Sequence, residues 1–257
     1  MAQEQRLLDI VKYLNKHEKI TVEEICTLFQ VSRDTARRDL VKLEEEQAII
    51  RTRGGALLPK IHRKVDNYHN RLKAVSEDKK AIGKIAASFV QENDHIILDA
   101  STTVQAMGNY IDQECTVITN SINLADILSD KQLPKIHLLG GVMQKEHRYL
   151  YGNSVIQRLD KYYVDKVFIG IVGISEKGLT IVDEEDGAVK KKMMQQAKQV
   201  IVVGDISKIG ITDFYQFAEL SDIDLFITDK EPEDSFIQLL KENGVELLVA
   251  NRRDGEV

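Results

Sequence analysis

The first 58 residues alternate apolar and polar positions in the way expected of three short helices followed by a hairpin. A first helix is predicted from apolar residues at helical intervals, namely Leu7, Ile10, Val11 and Leu14. Thr21 and Glu24 have the spacing of a capping box, which predicts the start of a second helix. Ser32 is a typical N-cap residue and predicts the start of a third helix.

A hairpin is predicted directly after the third helix. Two short apolar runs, 49–51 and 56–58, lie on either side of Arg53 and the pair Gly54-Gly55, which is the pattern of two strands joined by a tight turn. Pro59 ends this unit, and the residues that follow it are polar and basic with little apolar periodicity. That stretch is expected to be a linker.

From residue 76 onward, short apolar runs alternate with helical patterns. The predicted strands are 95–99, 116–119, 135–139, 166–169, 200–203, 225–228 and 246–249. The predicted helices are 79–91, 102–110, 122–128, 154–161, 188–198 and 233–242. Such alternation is typical of a mainly parallel sheet that is covered on both faces and has right-handed crossovers. The predicted fold class is α/β, with a winged helix-turn-helix at 1–58 (helix-turn-helix at about 20–39), a linker at 59–75 and a mainly parallel α/β domain at 76–257.

Charge is distributed unevenly along the chain. The net charge is −6, so the total does not point to nucleic acid. From Arg51 to Lys84, however, there are ten Lys or Arg residues against three Asp or Glu. A basic segment on an acidic molecule suits a local contact with phosphate groups. On charge alone, a solvated linker and helix face explains the segment equally well.

Other sequence features exclude several classes of protein. No apolar run approaches the length of a membrane span and no signal peptide is visible, so we expect a cytoplasmic protein without membrane contact. Cys26 and Cys115 are far apart and lack a C-x-x-C neighbour, and both are expected to be buried thiols in a reducing compartment. The histidines show no metal-ligand spacing, and no Walker loop, dinucleotide fingerprint or G-x-S-x-G elbow is present. We therefore expect neither a metal ion nor a cofactor.

The second and third predicted helices have the two properties that a helix-turn-helix needs. A small core is predicted from Val22, Ile25, Phe29, Val31, Ala36 and Leu40. Side chains free to contact DNA are predicted at Ser32, Arg33, Thr35, Arg37 and Arg38, with Arg51 and Arg53 in the wing. Arginine pairs with guanine through two hydrogen bonds, and hydroxyl groups suit phosphate oxygens. The pattern leaves one alternative open, an ordinary three-helix bundle with a basic surface.

Candidate ligand-binding residues follow the predicted strands, where parallel sheets bind ligands. They are Asp99, Ser101, Thr102, Thr103, Asn120, Gly140, Gly141, Glu184 and Lys208. Hydroxyls and backbone N–H groups at a helix start suit an anion, glycines allow close approach, acids accept hydrogen bonds from sugar hydroxyls, and the lysine supplies a cation. Each also has a plain structural explanation. Asp99 and Asn120 are then helix caps, the glycines a turn, the acidic run 183–186 a solvated loop, and Lys208 a surface residue.

The segment Val31-Ser32-Arg33-Asp34-Thr35-Ala36-Arg37-Arg38-Asp39-Leu40 resembles the recognition-helix signature of the DeoR family of repressors. The resemblance continues into the wing through Leu43-Glu44-Glu45-Glu46 and Arg53-Gly54-Gly55-Ala56. Similar blocks in the rest of the chain are 99–103, 119–121, 139–141, 165–170, 207–210 and 227–229. The resemblance therefore covers nearly the whole chain. The sequence departs from the family pattern at Gln30 and Arg53, where Gly and His are usual, at Ala100-Ser101, where a Gly is common, and at Gln144, where a basic residue is common.

The resemblance implies a DNA-binding transcriptional regulator and not an enzyme. It implies a repressor of a sugar-metabolism operon that a phosphorylated sugar releases from its double-stranded operator. It also implies a homodimer or homotetramer whose sensor domain resembles ribose-5-phosphate isomerase and CoA transferases in fold. The nine residues that follow the strands are the implied effector contacts.

Two alternatives to a sugar-responsive repressor stay open. One is a sugar-phosphate isomerase-like enzyme with an accessory DNA-binding head, in which Asp99, Glu184 or Lys208 would be the acid–base groups. The other keeps the DNA-binding head and makes the large domain an oligomerisation module only.

Overall fold

The computed structural model describes residues 3–17, 19–45, 48–57 and 77–250. The chain divides into two compact units, and the described residues up to 57 belong to the first while those from 77 belong to the second. The predicted linker 59–75, and with it most of the basic segment, lies outside the described residues.

The first unit combines three helices with a small antiparallel sheet. Its helices are α1 (Gln3–His17), α2 (Val22–Phe29) and α3 (Arg33–Glu45). Its strands are β1 (Lys19–Thr21), β2 (Ile50–Thr52) and β3 (Gly55–Leu57), in the order β1-β3-β2. The three predicted helices and the hairpin are confirmed. The pattern does not predict β1, because three residues are too few to show an alternation.

Local hydrogen bonds set the starts of α2 and α3. Thr21 Oγ1 accepts from the Glu24 N–H at 3.1 Å while the Glu24 carboxylate accepts from the Thr21 N–H at 2.7 Å, so the predicted capping box is present. At Gln30, which has a left-handed φ of 53°, the turn between the helices begins. Ser32 Oγ accepts from the Thr35 N–H at 3.2 Å and caps α3, as predicted.

A buried ion pair fixes the orientation of α3 against α1. Arg6 Nε donates to Asp39 Oδ2 at 2.6 Å, and Arg6 Nη2 donates to Asp39 Oδ1 at 3.2 Å. Gln3 Nε2 also donates to Asp39 Oδ1, at 3.1 Å. The apolar core around this pair comprises Leu7, Ile10, Leu14, Ile20, Val22, Ile25, Ala36, Leu40, Leu43, Ile49 and Ala56. Because a two-point contact fixes direction as well as distance, it determines which face of α3 is turned outward.

The second unit is built on one seven-stranded sheet that is parallel throughout. In chain order the strands of this unit are β4 (His95–Leu98), β5 (Thr116–Thr119), β6 (Lys135–Leu138), β7 (Val142–Gln144), β8 (Tyr149–Tyr151), β9 (Val164–Gly170), β10 (Gly173–Ser175), β11 (Gly178–Ile181), β12 (Ala197–Val203), β13 (Tyr215–Ala218), β14 (Leu225–Thr228) and β15 (Glu246–Val249). The sheet has the order β15-β14-β12-β9-β4-β5-β6. All seven of its strands are among those that the sequence predicts.

Helices cover both faces of this sheet. They are α4 (Glu77–Ser88), α5 (Thr102–Gly108), α6 (Ile122–Ser129), α7 (Asn153–Leu159), α8 (Glu184–Gln195) and α9 (Asp234–Glu242). Apolar residues of α4, α5 and α6 pack in one core with Phe168 of β9. Apolar residues of α7, α8 and α9 pack in the other core with Val167 and Ile169 of the same strand. None of the described helices is long and apolar enough to cross a membrane.

The start of α8 corrects the prediction. The helix begins at Glu184 and not at 188, because Asp183 Oδ1 accepts from the Asp186 N–H at 3.0 Å and caps it. Acidic side chains in the first turn of a helix interact favourably with its dipole. The acidic run 183–186 is therefore a helix start and not a solvated loop.

Five short strands outside the large sheet are not predicted. β7 and β8 form an antiparallel pair, and β10, β11 and β13 form a second small sheet. Each has three or four residues, which is too short for the pattern of apolar positions to identify.

Candidate functional site

The outward face of α3 and the wing carries the residues predicted to contact DNA. A groove of about 120 Å³ is lined by Arg33 and Arg37 of α3 and by Arg51 of the wing. Arg38 and Arg53 are exposed but are not among the described residues that line this groove. Ser32 Oγ and Thr35 Oγ1 lie 2.9 Å apart at the start of α3.

Two of the predicted arginines are paired with acids on the protein surface. Arg33 Nη2 lies 2.9 Å from Glu23 Oε1, and Arg51 Nη1 lies 3.2 Å from Glu44 Oε2. Exposed ion pairs contribute little to stability and exchange readily with another anion. Within the described parts of the chain, Arg37, Arg38 and Arg53 form no ion pair. The arginines of α3 and the wing can therefore contact a polyanion, because breaking their exposed ion pairs costs little free energy.

In the second unit the strand order reverses between β4 and β9. Strands β5 and β6 follow on one side of β4, whereas the chain returns to β9 on its other side. Asp99 directly follows β4, and its Oδ2 accepts from the Gly170 N–H of β9 at 3.1 Å. Its Oδ1 accepts from the Ser101 N–H at 2.9 Å. Ligands of parallel α/β sheets bind at such switch points, at the carboxyl ends of the strands.

Lys190 of α8 reaches the same point from the other side of the sheet. Its Nζ donates to Asp99 Oδ2 and, at 3.1 Å, to the carbonyl oxygen of Gly170. Both members of the ion pair are buried, since the side chain of Lys190 is 7% exposed and that of Asp99 is 1% exposed. Gly170 has to be glycine, because a Cβ there would lie 1.9 Å from Ser101 Oγ.

A cleft of about 240 Å³ opens over this junction. We call it the switch-point cleft, and it is lined by Ala100, Ser101, Gln144, Glu146, His147, Tyr149, Gly170, Ile171, Val172, Ile181, Val182, Asp183, Asp186 and Lys190. Burial, followed by the charges of Asp186 and Asp183, raises the pKa of Tyr149, so its hydroxyl stays protonated at neutral pH. The wall of the cleft thus includes Lys190 of the buried ion pair and the acids Glu146, Asp183 and Asp186.

The residues predicted after β4 lie at or behind the cleft. Ser101 lines it, and its Oγ accepts from the Val104 N–H at 3.1 Å and caps α5. Thr102 and Thr103 are buried in the first turn of α5. The helix cap is thus Ser101, and Asp99 instead holds β4 to β9.

Asn120, predicted after β5, anchors the β7–β8 hairpin. Its Nδ2 donates to the Leu150 carbonyl at 3.0 Å, and the Leu150 N–H donates to the Asn120 carbonyl at 2.9 Å. The cap of α6 is Ser121, whose Oγ accepts from the Leu124 N–H at 3.2 Å. Asn120 therefore holds in place the hairpin that contributes Gln144 to the wall of the cleft.

Four other predicted residues are not among the described residues that line the cleft. Gly140 and Gly141 follow β6, and Gly141 has a structural reason, because a Cβ there would lie 2.6 Å from the Tyr151 carbonyl oxygen. Glu184 is exposed in the first turn of α8. Lys208 ends a short 3₁₀ turn after β12. Their roles in ligand binding stay predictions.

Sequence reasoning misses Lys190, Tyr149 and Gly170. The helical spacing of Gly187, Lys190 and Met194 places all three on the buried side of α8, and this spacing is a signal that the sequence contains. Tyr149 belongs to the hairpin that the pattern does not predict. The requirement for glycine at position 170 depends on how closely β9 approaches Ser101, which no sequence pattern reveals.

A second, larger cleft lies away from the switch point. It measures about 440 Å³ and is lined by residues of α8 and β13 and the turn that follows, among them Lys191, Phe217 and Asp222. None of the predicted site residues is among the described residues that line it. In the described part of the chain no group of three or more His, Cys, Asp or Glu side chains is arranged to hold a metal ion.

Two family models match the chain. The DeoR-like helix-turn-helix domain matches residues 6–62, and the DeoR C terminal sensor domain matches residues 74–230. The two matches coincide with the two compact units and cover most of the sequence.

Two similar proteins match the chain over nearly the whole length of both partners. The chain is 62% identical over 257 residues to the HTH-type transcriptional repressor GlcR of Bacillus subtilis (strain 168), covering 100% of both chains. It is 32% identical over 245 residues to the lactose phosphotransferase system repressor of Streptococcus mutans serotype c, covering 94% of this chain and 98% of the relative. The ribose 5-phosphate isomerase A of Methanocaldococcus jannaschii is a distant structural neighbour, 18% identical with a TM-score of 0.38, and the match covers 51% of this chain and 53% of the isomerase.

The full-length identity to a repressor and the two family matches agree with the fold, which joins a winged helix-turn-helix to a parallel α/β domain. The chain therefore belongs to the DeoR family of helix-turn-helix transcriptional repressors.

Proposed function

We propose that this repressor binds a double-stranded operator through α3 and the wing, and that a phosphorylated sugar bound in the switch-point cleft releases it. The observation that carries the effector half is the buried Asp99–Lys190 pair beneath a cleft at the switch point. A buried ion pair gives no general advantage in stability, and ionisable groups buried at a cleft are candidates for a functional site.

The DNA-binding half is supported by the outward face of α3. In a helix-turn-helix the second helix enters the major groove and its exposed side chains contact base edges. Arg37 and Arg38 meet this requirement, and the Arg6–Asp39 pair holds the helix so that both face outward. The wing arginines, Arg51 and Arg53, suit contacts to the phosphate backbone or the minor groove.

The chemistry of the cleft supports a small polar effector. Its volume of about 240 Å³ lies below the range of about 300–1,000 Å³ that is usual for drug-sized ligands and favours a smaller molecule such as one monosaccharide. Asp183, Asp186 and the protonated hydroxyl of Tyr149 are hydrogen-bonding partners for sugar hydroxyls. Ser101 provides a hydroxyl and Lys190 a positive charge, which suit an anionic group.

Release from DNA requires that the effector binds two states of the protein with different affinity. A homodimer or homotetramer supplies such states, because two heads must match two half-sites of one operator at the same time. Binding of the effector then changes the distance between the DNA-binding units of the oligomer, or how well ordered they are.

A thermal-shift screen of the full-length protein against sugar phosphates and their parent sugars tests the effector class. A ligand at about 100 times its Kd raises the free energy of unfolding by about 2.7 kcal/mol. The proposal expects stabilisation by one phosphorylated sugar and none by its free sugar. Stabilisation by no member of the panel would reject a phosphorylated sugar as effector.

An isomerase-like enzyme that uses Asp99, Glu184 or Lys208 is the weaker candidate, because Glu184 and Lys208 are not among the described residues that line the cleft. A general base needs a carboxylate that is available to take a proton from the substrate. Asp99 already accepts hydrogen bonds from the Ser101 N–H, the Gly170 N–H and Lys190. Its oxygens hold the junction of β4 and β9 together and are poorly placed to act on a substrate.

A further inference from the structure

Among the described residues that line the switch-point cleft, Lys190 is the one lysine or arginine. The sequence predicts Lys208 as the cation of the site, but Lys208 is not part of the described lining. The positive charge in the cleft is therefore that of Lys190 and not that of the predicted Lys208.

Lys190 is held in an environment that is costly for an ammonium group. The residue as a whole is 6% exposed. Its neighbours in α8, Val189 and Met193, belong to the apolar core on that face of the sheet. Asp99 and the carbonyl of Gly170 compensate for the lost hydration. A buried ion pair of this kind gives no general advantage in stability over an apolar pair of the same volume, so its presence calls for another reason.

The charges around the cleft restrict where an anion can bind. Glu146, Asp183 and Asp186 line the cleft and repel an anion from their part of the wall. Ser101 also lines the cleft and lies against Gly170, whose carbonyl oxygen accepts a hydrogen bond from the ammonium group of Lys190. Its hydroxyl accepts a hydrogen bond from Val104 and keeps its own hydrogen to donate. The position beside Ser101 and Lys190 is therefore the one where the lining offers an anion both a hydroxyl donor and a positive charge.

We propose that Lys190 is the residue that binds the phosphate group of the effector, and that Asp99 holds its ammonium group in place until the phosphate arrives. This inference rests on the proposed function for the class of ligand. When the phosphate binds, Lys190 shares its hydrogen bonds between Asp99 and the ligand, which weakens the tie between α8 and the end of β4. The same contact thus provides both affinity and a structural consequence of binding.

The test measures the affinity of the full-length protein for inorganic phosphate, with sodium chloride at matched ionic strength as the reference. The variant Asp99→Asn/Lys190→Met removes both charges and leaves no unpaired carboxylate. We expect its Kd for phosphate to rise about tenfold or more, the loss of one charge-assisted hydrogen bond. Lys190→Arg keeps the charge and is expected to retain most of the affinity.

A matched control removes a similar ion pair at the other end of the same strands. Lys166 Nζ lies 2.6 Å from Asp94 Oδ2, with side chains 12% and 10% exposed, outside the described lining of the cleft. Asp94→Asn/Lys166→Met is expected to leave the Kd for phosphate unchanged. Lys208→Met tests the sequence-based prediction in the same assay.

Three outcomes would overturn the role of Lys190. They are equal phosphate affinity of the wild type and Asp99→Asn/Lys190→Met, loss of affinity in Lys208→Met alone, and no measurable phosphate binding by the wild type. The proposed function is tested separately, by the binding of sugar phosphates to the protein and by their effect on its affinity for DNA. A sugar phosphate that binds the double variant as tightly as the wild type would refute the role of Lys190 and leave the repressor mechanism standing.

Discussion

Asp99 and Lys190 are 91 residues apart in the chain, and their side chains form a buried ion pair at the point where β4 and β9 end. Through this pair α8 is attached to the end of β4, and Gly170 of β9 donates its N–H to the same carboxylate. Three elements that are distant in sequence therefore meet at one carboxylate at the base of the switch-point cleft.

Removal of Lys190 alone should destabilise the second unit. Lys190→Met leaves the carboxylate of Asp99 buried without its cation, and breaking a buried pair in this way costs about 3–5 kcal/mol. Asp99→Asn/Lys190→Met removes both charges and should recover most of that loss. Chemical denaturation measures the free energy of unfolding of both variants, from the transition in which the second unit unfolds. Equal stability of the two variants would show that the ion pair does not balance the charge of Asp99.

Gly170→Ala should destabilise the protein, because the new Cβ would lie 1.9 Å from Ser101 Oγ. Forcing an atom into such a contact costs about 1–3 kcal/mol. Gly140→Ala is the matched control, since a Cβ there meets no atom within 4 Å. Its midpoint of thermal unfolding should equal that of the wild type. If Gly170→Ala also unfolds at the wild-type temperature, the close approach of β9 to Ser101 is wrong.

Arg37→Ala should weaken binding to the specific operator by about 1–3 kcal/mol if the side chain reads a base. Binding to unrelated DNA should change much less, because that binding depends on phosphate contacts. Arg158→Ala in α7, a substitution of the same type in the second unit, serves as the control. Competition titrations at fixed salt give both affinities. A uniform loss on all sequences would make Arg37 a phosphate contact.

The alkaline stability of the protein should depend on Cys115. Burial raises the pKa of this thiol from 9.0 to about 11, and the charge of Asp94 adds to the effect. Because the folded state favours the protonated thiol, the contribution to stability is complete below pH 9 and is lost as the pH rises through 11. Cys115→Ala should therefore flatten the decline in stability over that interval. Unfolding midpoints at pH 8, 9, 10 and 11 measure the slope, and parallel curves for the two proteins would contradict the prediction.

The sequence predicts the seven strands of the large sheet because each contains a short run of apolar residues between polar turns. It does not predict the β7–β8 hairpin, because the apolar residues Val142 and Met143 are both exposed there and do not alternate with polar residues. The acidic run 183–186 is compatible with a solvated loop and with the first turn of a helix. Only the cap formed by Asp183 distinguishes the two.

The sequence predicts the shared face of Arg33 and Arg37 more readily than the lining of the cleft. Contacts within α3 and the wing are local, so helical spacing alone brings Arg33 and Arg37 to one side of the helix. The cleft depends on the packing of α8 against β4 and β9. Lys190 lies in the run Lys190-Lys191-Lys192, which is typical of a solvated face and conceals the helical spacing that places Lys190 on the buried side of α8.

Titration of the operator with and without sugar phosphates tests the central claim most directly. The operator is first selected from random DNA by the full-length protein, and its Kd is then measured at one salt concentration. We predict that one phosphorylated sugar raises this Kd about 5- to 150-fold, the usual range of coupling between two sites, while its parent sugar has no effect. An operator Kd that stays the same with every sugar phosphate would contradict release by an effector in the switch-point cleft.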